Sequence, residues 1–328
     1  MHEKQNGDTK QKQVFDWACK MLMNMSHASI VHFINGLFQK DYPADSSIAF
    51  LSTEHIRTGV SRLFSDFLLA IGGDKYHIEF QLKKDETIAL RVFEYCFEEA
   101  KRDREEDGDG ITLRFAQTKV VYLQENRGIP PAYTIWFQMP SGEKFRYEVP
   151  VMQLLAKSVG EIEEEGLVLL LPLYQLKMRG IKKLSPQKRA GRMEEFKAML
   201  GDIESAFHKA LSEGAISEGD GVKLADVLGT VYRHLYSDLK DMEEVNDMVE
   251  EKFTSWFDEL AEKVRQKSMV EGMRQGMRQG MQQGMQQGMQ VTYLLTKNPG
   301  LSDEELNERT GCDVESIRKI RKEIMELS

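Results

Sequence analysis

Cysteine is scarce in this chain. Its three residues, Cys19, Cys96 and Cys312, lie far apart, and no two form a C-x-x-C pair. That spacing excludes a zinc ribbon and a disulfide framework, and it points to a reducing compartment. The seven histidines show no H-E-x-x-H or other paired-ligand spacing, which removes the helical zinc-hydrolase motif. No G-x-x-x-x-G-K-[ST] loop is present, so the phosphate cradle of a P-loop NTPase is missing. Long apolar runs are missing too. The longest, Leu167 to Leu173, includes Pro172 and falls far short of the roughly 20 residues a membrane helix needs. The opening residues, Met-His-Glu-Lys-Gln-Asn, carry no apolar signal core, so a cytoplasmic protein without a membrane partner is expected. Basic charge is also in deficit. Lys and Arg number 44 against 53 Asp and Glu, a net charge of −9, which argues against broad affinity for nucleic-acid phosphates.

What is present begins with residues 76–82, Tyr-His-Ile-Glu-Phe-Gln-Leu. Apolar and polar residues alternate there, as in a half-buried strand, with Tyr76, Ile78 and Phe80 on one face and His77, Glu79 and Gln81 on the other. Upstream, residues 65–71 read as a second strand, and Gly72-Gly73-Asp74-Lys75 as a hairpin turn. Pairing Gly72 with Lys75 sets Ile71 opposite Tyr76, Leu68 opposite Glu79 and Asp66 opposite Gln81. Asp66, Glu79 and Gln81 then share one face, and any even-residue turn preserves that parity. Carboxylates on a strand pair make a hard-oxygen site suited to Mg²⁺ or Mn²⁺. The same alternation also suits a plain solvent-facing strand with scattered polar residues.

Several further stretches fall in a fixed order around this hairpin: Asn35-Gly36-Leu37-Phe38 before Asp41-Tyr42-Pro43, then Arg91-Val92-Phe93-Glu94-Tyr95, then Leu169 through Tyr174. Together with Asp66 and Glu79-Phe80-Gln81, they resemble the PD-(D/E)XK nuclease core in the variant of the Rpn family of recombination-promoting nucleases, often labelled putative transposases. The resemblance covers about residues 14–180 and the glycine-rich tail. It implies a divalent-metal-dependent DNA endonuclease tied to recombination or mobile elements. Asp66 and Glu79 would ligate Mg²⁺ or Mn²⁺, helped by the Phe80 carbonyl, and Gln81 would orient the water or phosphate. Gln81 stands where the wider superfamily has lysine, a substitution the Rpn-like branch shares. Lys83, two residues on along the same face, is read either as a source of the missing charge or as an ordinary solvated lysine. The competing reading is a catalytically silent nuclease fold that binds DNA or serves assembly.

Composition shifts divide the chain. Residues 14–38 carry helical spacing, with Phe15, Ala18, Leu22 and Met25 on one stripe. Strands are expected near 48–51, 118–124, 133–138 and 144–149, and a helix over 86–101 with Phe93 and Phe97 inward. The expected fold is α/β: a restriction-endonuclease-like mixed sheet flanked by helices, followed by an all-helical C-terminal region. The divisions are 1–185 (nuclease-like), 186–267 (helical), 268–290 (Gly/Met/Gln repeat) and 291–328 (a small helix-turn-helix-like tail). Seven basic residues and no acidic ones lie between Lys177 and Arg192, a run that suits either a DNA backbone or an exposed loop around Pro186. In the repeat, glycines at 272, 276, 280, 284 and 288 each precede a methionine. That pattern reads as a marginal helix or spacer, with homo-oligomerisation as the alternative. In the tail, Arg318, Lys319 and Lys322 are expected to face outward, where they suit DNA, unless the tail serves packing or dimerisation instead.

Overall fold

The computed structural model describes residues 13–51, 66–236, 243–249 and 255–326. It divides into two compact units, Met1–Ala261 and Glu262–Ser328.

In the first unit, the stripe Phe15, Ala18, Leu22 and Met25 is buried as expected. The helical spacing of 14–38 is nevertheless broken into α1 (residues 13–22) and α2 (His27–Phe38), with Ser26 capping α2 by accepting from the Ser29 amide. Three antiparallel strands follow, β1 (Ile48–Leu51), β2 (Asp66–Ile71) and β3 (Asp74–Gln81). Gly72 and Gly73 together form the two-residue turn between β2 and β3, at φ of 60° and 92°. Both values favour glycine, as a primed hairpin turn requires. This corrects the expected register by two residues. Ile71 pairs with Asp74, Leu68 with His77 and Asp66 with Glu79. Parity survives because the turn is still even, so the Asp66, Glu79 and Gln81 positions share a face.

Helix α3 (Ile88–Arg102) then crosses over, and the acidic segment after it forms a small hairpin of β4 (Glu105–Asp107) and β5 (Gly110–Thr112) around Gly108. Strand β6 (Gln117–Tyr122) returns parallel to β3, and the hairpin β7 (Ala132–Gln138) and β8 (Lys144–Gln153) completes the sheet. The strand order is β1-β2-β3-β6-β8-β7, a six-stranded mixed sheet. The fold is therefore α/β with a helical C-terminal region.

Beyond the sheet come α4 (Val159–Glu164), α5 (Leu171–Tyr174), a 3-10 stretch over Gln175–Lys183, α6 (Pro186–Ser212), α7 (Glu218–Tyr236) and α8 (Glu243–Met248). The basic run is thus not a loop. Pro186 opens α6, where its fixed φ and missing N–H cost nothing. One sheet face, with Tyr76, Ile78, Phe80 and Val121, joins α1, α2, α6 and α7 in the main core. The other face packs Leu68, Val120, Tyr122 and Val149 under Ile88, Val92 and Cys96 of α3. Phe93 and Phe97 are only half-buried. They belong to an aromatic cluster with Phe115, and Phe93 also meets Phe137 and Tyr147. The inward stripe of α3 lies one position away from the expected one.

Helix α9 (Ser255–Lys297) is continuous through the repeat, and Met273, Met277, Met281, Met285 and Met289 are all exposed on it. In the second unit, the end of this helix packs with α10 (Asp303–Thr310) and α11 (Val314–Glu326) around Val291, Leu306 and Ile317. Ser302 starts α10 with a reciprocal capping box, and Gly311 ends it at φ 65°. Among the described residues, no helix is long and apolar enough to cross a membrane.

Candidate functional site

The odd-numbered residues of β3 point at α3, and the two elements are matched in pitch. Two strand residues advance about 6.6 Å, and four helix residues advance about 6.0 Å. Running in opposite senses, they form a three-rung ladder. Lys75 Nζ donates to Glu99 Oε1 at 3.0 Å, His77 stacks on Tyr95 with ring centroids 4.4 Å apart, and Arg91 Nη2 donates to Glu79 Oε1. Apolar contacts of Ile88, Val92 and Cys96 hold the helix down, and the ladder fixes its position along the strand.

Glu79 is 2% exposed and Gln81 1% exposed. The polar face of β3 is therefore not a solvent-facing edge: α3 covers it. Glu79 Oε1 also accepts from Gln81 Nε2 at 2.5 Å, so the amide and the guanidinium orient one carboxylate oxygen together. Arg91 reaches a second carboxylate, donating from Nη1 to Asp85 Oδ2 at 2.9 Å. Asp85 accepts in addition from the Thr87 amide at 2.9 Å and the Thr87 hydroxyl at 2.8 Å. Partial burial opposes its ionisation, but the Thr87 hydrogen bonds and Arg91 outweigh that and hold the Asp85 carboxyl below its ordinary value. Tyr122, from β6, extends the polar group to Tyr133, their hydroxyls lying 3.1 Å apart.

Asp66 opens β2 as the backbone partner of Glu79. Directly paired residues on adjacent strands have Cβ atoms about 4.5–5.5 Å apart, closer than the diagonal placement expected from the sequence. His77 is 1% exposed, and its Nδ1 lies 3.8 Å from Cys96 Sγ, so it is an interior residue. The shared face expected for Lys83 is corrected: β3 ends at Gln81, so strand parity does not reach Lys83, which is exposed beyond it as a solvated lysine is. Arg91 was not singled out as a site residue. Its signal was the four-residue spacing to Tyr95, matching the two-residue spacing of Glu79 and His77.

In the second unit, Arg318 and Lys319 are exposed on α11, but both already have carboxylate partners. Arg318 Nε lies 3.3 Å from Asp303 Oδ2, and Lys319 Nζ lies 3.2 Å from Glu315 Oε1. Lys322 is also exposed. The unexpected residue is Arg321, which donates to Asp303 Oδ1 at 2.8 Å and to the Leu301 carbonyl at 2.6 Å. It ties α11 to the start of α10.

Two carboxylate positions and an amide have the hard-oxygen chemistry of a Mg²⁺ or Mn²⁺ set. Arg91 occupies one of the oxygens such an ion would use. Among the described residues, no three His, Cys, Asp or Glu side chains form a metal-binding group. No family model, curated protein or solved structure matches this chain.

Proposed function

We propose that the chain is a divalent-metal-dependent DNA endonuclease acting at the β2–β3 hairpin. The observation that carries this reading is the direct pairing of Asp66 with Glu79, with Gln81 on the same face. Asp66 and Glu79 would hold a Mg²⁺ or Mn²⁺ ion, which would supply Lewis-acid polarisation of a phosphodiester and acidify water. Gln81 fixes the Glu79 carboxylate through its amide, leaving its carbonyl oxygen to orient water. Arg91 brings to this point a permanent positive charge, which glutamine lacks. In the second unit, Arg318, Lys319 and Lys322 supply phosphate contacts of the positioning kind.

A specific observation favours a second reading. Glu79 is buried and already matched by Arg91 and Gln81, as in a structural ion pair of a non-catalytic DNA-binding or assembly protein.

Plasmid cleavage with Mg²⁺, Mn²⁺, Ca²⁺ or EDTA separates the two. Asp66→Ala and Glu79→Ala, checked for folding by circular dichroism, are expected to lose cleavage at least a hundredfold, and EDTA to abolish it in wild type. Undiminished cutting by folded variants would remove the site assignment. A wild type that shifts DNA in a gel but never cuts it would leave the second reading.

A further inference from the structure

A cleft of about 690 Å³ is bounded by the end of α2, the Ile129–Pro131 loop and the end of β8. Clefts of roughly 300–1,000 Å³ accommodate small organic ligands. Much of the wall is apolar, with Leu37, Ile129, Pro130, Met152 and Leu167 among its residues. Lys119 also lines it. On β6 this residue pairs with Ile78, which places it on the α2 side of the sheet rather than the α3 side.

Most polar side chains of the lining are already committed. Asn35 exchanges two hydrogen bonds with the Tyr42 backbone, at 2.8 and 2.9 Å. Gln153 accepts from the Asn126 amide at 2.7 Å and donates to the Ile129 carbonyl at 3.2 Å. Lys157 is neutralised by Glu165 at 2.6 Å. Lys119 differs. Its ammonium donates to the Leu37 carbonyl at 2.9 Å and sits 5.8 Å from the centroid of the Phe38 ring. An ammonium carries three donors, and no ion pair to Lys119 is formed among the described residues. A half-buried cation without a counter-charge is costly. An anion entering the cleft would meet both the spare donors and the charge.

We propose that this cleft binds a small organic anion, an apolar body bearing one carboxylate or phosphate, with Lys119 gripping the anionic group. The single anionic group follows from the lining: Lys157 and Glu165 pair with each other, which leaves Lys119 as the one cation to meet it. Burial pulls the Lys119 amine below its ordinary value, with Lys157 adding to this and Glu165 opposing it. A bound anion restores the charged form. Lys119 lies on the opposite sheet face from Glu79, and this assignment does not rest on the nuclease reading.

Calorimetric titration of the full chain tests it. Phenyl phosphate and benzoate are the probes. Inorganic phosphate is the control without a body, and benzyl alcohol the control without a charge. One-to-one binding of at least one probe, tenfold or more tighter than either control, is expected. Lys119→Met should weaken it at least tenfold. Ala156→Trp, which fills the exposed rim without altering Lys119, should do the same, and it decides the matter if Lys119→Met does not fold. The preferred probe tells carboxylate from phosphate. The proposal is overturned if neither probe outbinds its controls, if inorganic phosphate binds as tightly as phenyl phosphate, or if the folded variants bind like wild type.

Discussion

Burying Glu79 costs free energy unless its charge is matched, and Arg91 supplies the match from one helix away. Removing one partner of a buried pair strands the other, which typically costs about 3–5 kcal/mol. Arg91 keeps a side-chain exposure of 32%, so the lower figure, about 3 kcal/mol, is the better expectation for Arg91→Met. Glu79→Gln combined with Arg91→Met removes both charges of the buried pair, leaving only the partly exposed Asp85 without its Arg91 contact, and should recover more than half of that loss. Urea midpoints of the two single variants, the double variant and wild type give the coupling directly. A cost below about 1 kcal/mol for Arg91→Met would mean that the pair does not hold α3 in place. The sequence already grouped Glu79 and Gln81, because parity along a strand is local. It could not bring Arg91 to Glu79. That contact depends on α3 running antiparallel along β3: the matched spacings of Arg91 with Tyr95 and of Glu79 with His77 permit it but do not fix which helix meets the strand.

Elements were read best where periodicity and punctuation agreed. The Ser302-x-x-Glu305 spacing and the Gly311 stop that bound α10 are both visible in the sequence as it stands. The β2–β3 register was missed because Gly72-Gly73-Asp74-Lys75 offers two even turns. The choice falls to the one with glycine at both positive-φ positions. The repeat leaves helix and spacer both open for another reason: five glycines argue against a helix one by one. Yet Gln, Met and Arg between them are good helix formers, and α9 runs through without a break. A Cβ added at Gly276 or Gly280 would meet nothing within 4 Å. Each Gly→Ala change there should stabilise the helix by about 1 kcal/mol. Hydrogen exchange of residues 270–290 should slow accordingly in Gly276→Ala/Gly280→Ala. Exchange as fast as in wild type would mean that the glycines impose no weakness on this helix.

At the scale of the whole molecule, the first unit depends on joining segments far apart in sequence, and Asp220 is the clearest polar joint. Asp220, near the start of α7, is buried and accepts from the Ser26 amide at 2.9 Å, the Ser26 hydroxyl at 2.5 Å and the Ser29 hydroxyl at 2.7 Å. It thereby caps the N-terminal end of α2 from a helix 191 residues further along the chain. Burial alone would raise its carboxyl pKa, but the hydrogen bonds from Ser26 and Ser29 prevail and hold it below the ordinary 3.8. The sign follows from linkage. A carboxylate with a depressed folded-state pKa stabilises the fold fully above the unfolded value, and loses that contribution as pH falls through the folded value. Wild type should therefore exceed Asp220→Asn in unfolding free energy at pH 7. The difference should shrink as pH drops below about 4. Taking the difference between the two proteins cancels the other carboxylates, which titrate in both. A gap that stays constant from pH 7 to pH 3 would mean that the Asp220 charge contributes nothing to this joint, leaving only its shape to hold α2 against α7.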